Sequence, residues 1–296
     1  MMENVIEEPV AVTDLQSAIF FVLLLSVSIM LLRILGRSID KSAPSANQSP
    51  DDSAPWDLSS VFLLFSFFLL GQLAIYTLAM LPSSEYMQDA TATEIHQPIL
   101  FIGLSLVNLV ISTIAFYLHR ARKVSQQNDV SFWLGTRGDA RGALKLGVLT
   151  LLCWIPGHIG IAGLWSLFLE NREVEIHSQE SVQLLAQALQ QHDWALIIPF
   201  FLYGIVMAPV AEEILFRGVL FRWLRGHWGL YAALAVSSIA FALVHDSIAS
   251  WLPIAALGGV CAWLYHRSGQ LLASVTTHAV FNASTMLLIT FFQEEI

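Results

Sequence analysis

Residues 208–221 read APVAEEILFRGVLF and place Glu212, Glu213 and Arg217 inside a run that is otherwise almost wholly apolar. Such charges are costly at bilayer depth, about 2.5–3.5 kcal/mol each. Left unpaired, the three together would cost roughly 8–10 kcal/mol, comparable to the whole stability of a protein. They must therefore face protein or water. Glu213 and Arg217 are four residues apart, share a helical face and can neutralise each other as a structural pair. Glu212 lies about 100° further round the same helix and has no partner in its own segment. The surplus carboxylate is the functional suspect.

Its partners are sought in other apolar segments. SIAFALVH ends on His245, and SVTTHAVFNAS carries His278 and Asn282 at i, i+4, on one face. At a rise of about 1.5 Å per residue, Glu212 is about 21 Å up from the turn near 226–228, and His245 about 24 Å up from Gly229. His278 and Asn282 are about 14 and 20 Å up from Gly269, so the four can meet near mid-membrane. A tilt, or a kink at Pro209, is needed to bring them level. Glu212 and His245 would activate a water for attack on a carbonyl. His278 and Asn282 would hydrogen-bond the developing oxyanion. These are the parts of a hydrolase without a covalent nucleophile. The alternative is a divalent metal: Glu212, His245 and His278 are a donor set for zinc, although no H-E-x-x-H is present. No cofactor is favoured. His158, in WIPGHIG, is expected to cap a free carbonyl or line a cavity.

The elements that must position these residues follow from composition. The chain has 296 residues, is 56% hydrophobic with mean hydropathy +0.64, and has only 12% charged residues, against about 25% in soluble domains. A transmembrane helix needs roughly 20 apolar residues. Eight windows qualify, at about 16–36, 58–81, 98–118, 143–169, 194–216, 229–245, 251–266 and 270–292. The fourth is expected to be broken by Pro156-Gly157 and Gly160. The fold expected is all-α and polytopic, with about eight transmembrane helices. Residues 1–140 form an N-terminal membrane region of about three spans, and 141–292 a membrane domain whose C-terminal helices bring the catalytic residues together at mid-membrane.

Thirteen of the 14 Lys and Arg fall on one side if the spans alternate, Arg172 being the exception. The positive-inside rule makes that side cytoplasmic and leaves both termini outside, with Glu85, Asp89 and Glu94. The N-terminus MMENVIEEPVAVTD is acidic where a secretion signal is basic, so the first span is expected to be a retained anchor. Residues 38–56, rich in Ser, Pro and Asp, read as a disordered cytoplasmic linker. Residues 178–192 put Val182, Leu185 and Leu189 on one face of a short helix, which either lies on the outer interface or is an ordinary amphipathic loop helix, the favoured reading. Cys153 and Cys261 form no disulfide framework or cysteine metal motif. The basic residues are too sparse for a nucleic-acid surface. No internal repeat is visible. A transporter or proton path is the weakest functional reading, because the ionisable residues converge instead of lining a route.

Three motifs carry a family resemblance. EEILFR fits EExxxR, FALVH fits FxxxH and HAVFN fits HxxxN, in that order. Over roughly 140–292 the chain resembles the CPBP family, the CAAX-protease and bacteriocin-processing membrane peptidases also called ABI domains. Type II CAAX prenyl endopeptidases are its eukaryotic members. The resemblance implies an intramembrane endopeptidase in which Glu212 and His245 activate water, His278 and Asn282 form the oxyanion site, and Glu213 and Arg217 brace the motif helix. The family is often labelled metallopeptidase, but its motif residues also support a glutamate-type mechanism without metal, the one favoured. The expected substrate is a peptide or membrane protein cleaved within or beside the lipid bilayer, in a prokaryotic inner (plasma) membrane. The alternative within the family is a non-catalytic immunity or scaffold protein.

Overall fold

The computed structural model describes residues 10–42, 57–66, 68, 139–174, 180–245 and 247–291. Among these the protein is all-helical. Helix α1 spans Val10–Ser42, α2 Ala140–Glu170 and α3 Glu180–Gln190. A composite rod follows: α4 (Trp194–Leu202), a π-helical segment π1 (Tyr203–Met207), α5 (Ala208–Glu213), a second one π2 (Ile214–Phe221), and α6 (Arg222–Leu243). Helices α7 (Ile248–Ser268) and α8 (Leu271–Phe291) complete the chain. Among the described residues, five helical stretches are long and apolar enough to cross a membrane: Leu15–Ile39, Ala140–Glu170, Trp194–Leu243, Ile248–Ser268 and Leu271–Phe291. The protein is a multi-pass membrane protein.

The 50-residue stretch Trp194–Leu243 holds two of the expected spans. Gly229 divides it, with φ 82° and ψ 176°, a conformation open to glycine and strained for other residues. Beyond it the chain runs back: the rings of Phe216 and Phe241, about equally far from Gly229 in sequence, meet at 5.1 Å. Helix α7 ends at Gly269, whose φ of 65° closes a left-handed cap as its N–H donates to Tyr265 O at 2.8 Å. Asp139 and Asp193 cap α2 and α4, each accepting two backbone N–H bonds.

Helix α2 corrects the expectation of a broken fourth span. It runs unbroken through Pro156 because α1 repairs the ladder. Ser28, fully buried, inserts its hydroxyl there: Gly157 N–H donates to Ser28 Oγ at 2.6 Å, and Ser28 Oγ–H donates to Cys153 O at 2.8 Å. A foreign hydroxyl thus bridges the 157-to-153 step next to the proline. The glycines read as breakers are instead the surface on which α1 lies. A Cβ at Gly160 would stand 2.5 Å from Phe21 O, and one at Gly157 2.7 Å from Ser28 Cβ. On another face, a Cβ at Gly147 would stand 2.6 Å from Ala273 O of α8.

Ile39, Ala143, Leu264 and Ala273 form one buried cluster. That gathers the ends of α1 and α7 and the starts of α2 and α8, and with them Arg37, Arg141 and Arg267. Phe221 packs on Tyr265 at 6.1 Å, which brings Arg222 and Arg225 to the same end. Arg172 is at the far end of α2, where Trp165 Nε1 donates to Ile248 O at 2.8 Å. Arg37, Arg141, Arg222, Arg225 and Arg267 therefore gather at one end, with Arg172 at the other. The apolar face of α3 is covered by protein: Leu185 and Leu189 pack with Leu196, Ile197, Phe200 and Ile289. That arrangement matches the loop-helix reading. The second span is described only at its start, where Phe65 packs on Phe216 at 5.5 Å. The third span, the linker beyond Ser42, and Glu85, Asp89 and Glu94 lie outside the described residues.

Candidate active site

Four elements position the candidate site: α5 with π2, α6, α7 and α8. Glu213 and Arg217 are 0% and 1% exposed, and Arg217 Nη1 lies 2.9 Å from Glu213 Oε1. The pair expected from their spacing is therefore formed. Arg217 is held further by α7 and α6. Its Nη2 donates to Gly258 O at 3.0 Å, and its guanidinium lies 4.4 Å from the Phe241 ring centroid. Gly258 packs closely here, since an added Cβ would stand 3.1 Å from Phe241 Cδ1 and 3.3 Å from Arg217 Nη2.

Glu213 does more than neutralise Arg217. Ser274 Oγ–H donates to its Oε2 at 2.7 Å, and His278 Nδ1 lies 3.1 Å from its Oε1. A carboxylate beside arginine only accepts, so this contact places a ring proton on Nδ1 and points Nε2 the other way. His278 Nε2 lies 3.9 Å from Glu212 Oε2. The imidazole is thus held between consecutive glutamates. Glu213 is fully enclosed, whereas Glu212 is 21% exposed.

His245 joins this assembly through Phe241. Its Nδ1–H donates to Phe241 O at 2.9 Å, which leaves Nε2 as acceptor, and its ring is 5.1 Å from the Phe241 ring. The same phenyl ring meets His278 edge-on at 5.5 Å. Asn282 Nδ2 donates to Gly204 O of π1 at 2.8 Å. His158 stands apart from these contacts, its ring packed edge-on against Phe281 at 4.6 Å.

The three donors considered for zinc do not converge here. Among the described residues no three His, Cys, Asp or Glu side chains group as a metal site. His278 Nε2 faces Glu212, while His245 and His278 are both packed on Phe241.

Sequence reasoning missed Ser274, Gly258 and Gly204. Ser274, His278 and Asn282 recur every four residues, so a polar stripe on α8 was there to be read. Gly258 and Gly204 contribute backbone carbonyls, which leave no mark in residue type.

Comparison with known proteins bears on this segment. Residues 194–284 match the family model Type II CAAX prenyl endopeptidase Rce1-like. The matched segment contains Glu212, Glu213, Arg217, His245, His278 and Asn282, and covers under a third of the chain. Over 83 residues, 28% of this chain, it is 28% identical to a Bacillus subtilis (strain 168) protein named "Putative membrane peptidase YdiL". The chain spans about a third, 34%, of the length of that relative. No solved structure matches. The first match likens this segment to a CAAX-type protease family, and the second to a protein named as a membrane peptidase.

Proposed function

We propose that the protein is an intramembrane endopeptidase in which Glu212 activates the attacking water. One observation carries this reading: His278 is hydrogen-bonded to an enclosed glutamate paired with arginine and turns its other ring nitrogen toward a second, partly accessible glutamate. The enclosed carboxylate orients the ring, and the accessible one is left to handle a proton. The match of the same segment to a protease family model agrees with it.

In the proposed reaction Glu212 takes a proton from water as the water oxygen attacks the scissile carbonyl carbon. His245 Nε2, a free acceptor, helps hold that water. The oxyanion is received by His278 Nε2–H when the ring is protonated, and by an amide N–H of Asn282. The C–N bond then breaks as Glu212 passes the proton to the leaving amine, which returns Glu212 to its ionised form. The substrate class is a peptide or membrane protein reached at bilayer depth, in a prokaryotic inner membrane with the arginine-rich end cytoplasmic.

The test compares wild type with Glu212→Ala at matched levels in a host lacking the gene. New protein termini in the membrane fraction are read by mass spectrometry. Termini present only with wild type are expected, and their flanking residues would define the substrate. Identical termini from two well-folded proteins would remove the peptidase reading.

A further inference from the structure

Pro209 precedes the glutamate pair by three residues, and its effect is felt on another helix. In π1 the backbone register is i to i−5: Ala208 N–H donates to Tyr203 O. The next carbonyl in that register is Gly204 O, and the residue that would serve it is Pro209, which has no N–H. Its ordinary α-helical donor, Ala208 N–H, is already committed to Tyr203. Gly204 O is therefore orphaned twice, by the π register and by the proline. Gly204 itself is buried, where an unpaired carbonyl is costly. The Asn282 side chain supplies the missing donor at 2.8 Å.

An Asn carboxamide has two N–H groups on one nitrogen. Committing one to Gly204 O fixes the plane of the amide and the direction of the other. Asn282 is one helical turn beyond His278, whose Nε2 faces Glu212. We infer that Pro209 is a positioning residue: by withholding a backbone N–H from Gly204 it recruits the Asn282 amide and sets how that amide is presented to the substrate. The inference rests on the peptidase reading for its catalytic half only. The coupling between Pro209 and Asn282 is a property of the fold and is measured without any reaction.

The experiment is a double-mutant cycle in the full chain, in detergent and reconstituted in vesicles, with Pro209→Ala, Asn282→Ala and the double variant. Pro209→Ala restores an N–H that can serve Gly204 O. Asn282→Ala alone is expected to lower the melting temperature by several degrees, and to do so by much less in the Pro209→Ala background. If Asn282→Ala alone fails to accumulate, recovery of folded protein in the double variant is the same expected result. Equal losses in both backgrounds, or no recovery, would overturn the coupling. For the catalytic half, Pro209→Ala is expected to lower kcat several-fold with KM little changed and the melting temperature unchanged or raised. Unaltered kcat beside a non-additive cycle would make Pro209 structural only. A non-additive cycle with no cleavage by wild type would overturn the peptidase reading and leave the coupling standing.

Discussion

At the scale of single residues, the site is an ordered division of labour between adjacent carboxylates. Glu213 is spent on three neighbours, Arg217, Ser274 and His278. Glu212 lies 3.9 Å from His278 Nε2, its one ion-pair contact among the described residues. Arg217→Ala strands Glu213 as a buried anion, and such losses cost about 3–5 kcal/mol. It should lower the melting temperature of the purified protein sharply, and Arg217→Lys, which cannot reach both Glu213 and Gly258 O in the same planar fork, should recover only part. Unchanged melting would mean that the pair is solvated. The surplus of one carboxylate over one arginine was legible in the sequence, since it needs only charge counting and the i, i+4 rule. The Glu213–His278 contact was not. It depends on how α8 is rotated against α5, and a pair already balanced in charge gives no hint of a third partner.

At the scale of helices, glycine and proline meant something other than their local propensities suggest. Pro156 and its glycines read as a break, yet Ser28 of α1 completes the ladder and the glycines admit α1 closely. The signal was split between segments more than a hundred residues apart, so no local window contained it. Ser28→Ala removes the bridge and is expected to cost about 1–2 kcal/mol, the price of two backbone groups losing a partner. Gly147→Ala would push a methyl against the backbone oxygen of Ala273 and should cost about 1–3 kcal/mol. Both are measured as shifts in thermal unfolding, and a variant as stable as wild type would contradict the packing described for it. Gly229→Ala should lose about 1–3 kcal/mol from backbone conformation alone, because nothing lies within 4 Å of the added Cβ. The two π-helical segments flanking Glu212 and Glu213 could not be read from a 3.6-residue period. Pro209 was the one visible sign that a carbonyl in this stretch lacks a partner.

At the scale of the whole molecule, hydropathy and the placement of arginines were enough to give an all-helical multi-pass protein and the gathering of Arg37, Arg141, Arg222, Arg225 and Arg267 at one end. They succeeded because lipid imposes the same demand on every span. Which end faces the cytoplasm is a further expectation from the positive-inside rule. A C-terminal alkaline phosphatase fusion should be active and a C-terminal green fluorescent protein fusion dark in a bacterial host. The reverse pattern would invert the proposed orientation. The N-terminal helices are not bystanders to the candidate site, since α1 holds α2, α2 packs on α8, and Phe65 lies on Phe216, four residues beyond Glu212.

The most direct measurement is cleavage by purified protein in lipid vesicles, wild type against Glu212→Gln, on a peptide spanning a cut site mapped in membranes. The substitution keeps size and hydrogen bonding while removing the base. Cleavage should fall by at least the 10²–10⁴-fold that general-base catalysis contributes, with the melting temperature close to wild type. Undiminished cleavage by a folded Glu212→Gln protein would contradict the assignment of Glu212 as the group that activates water.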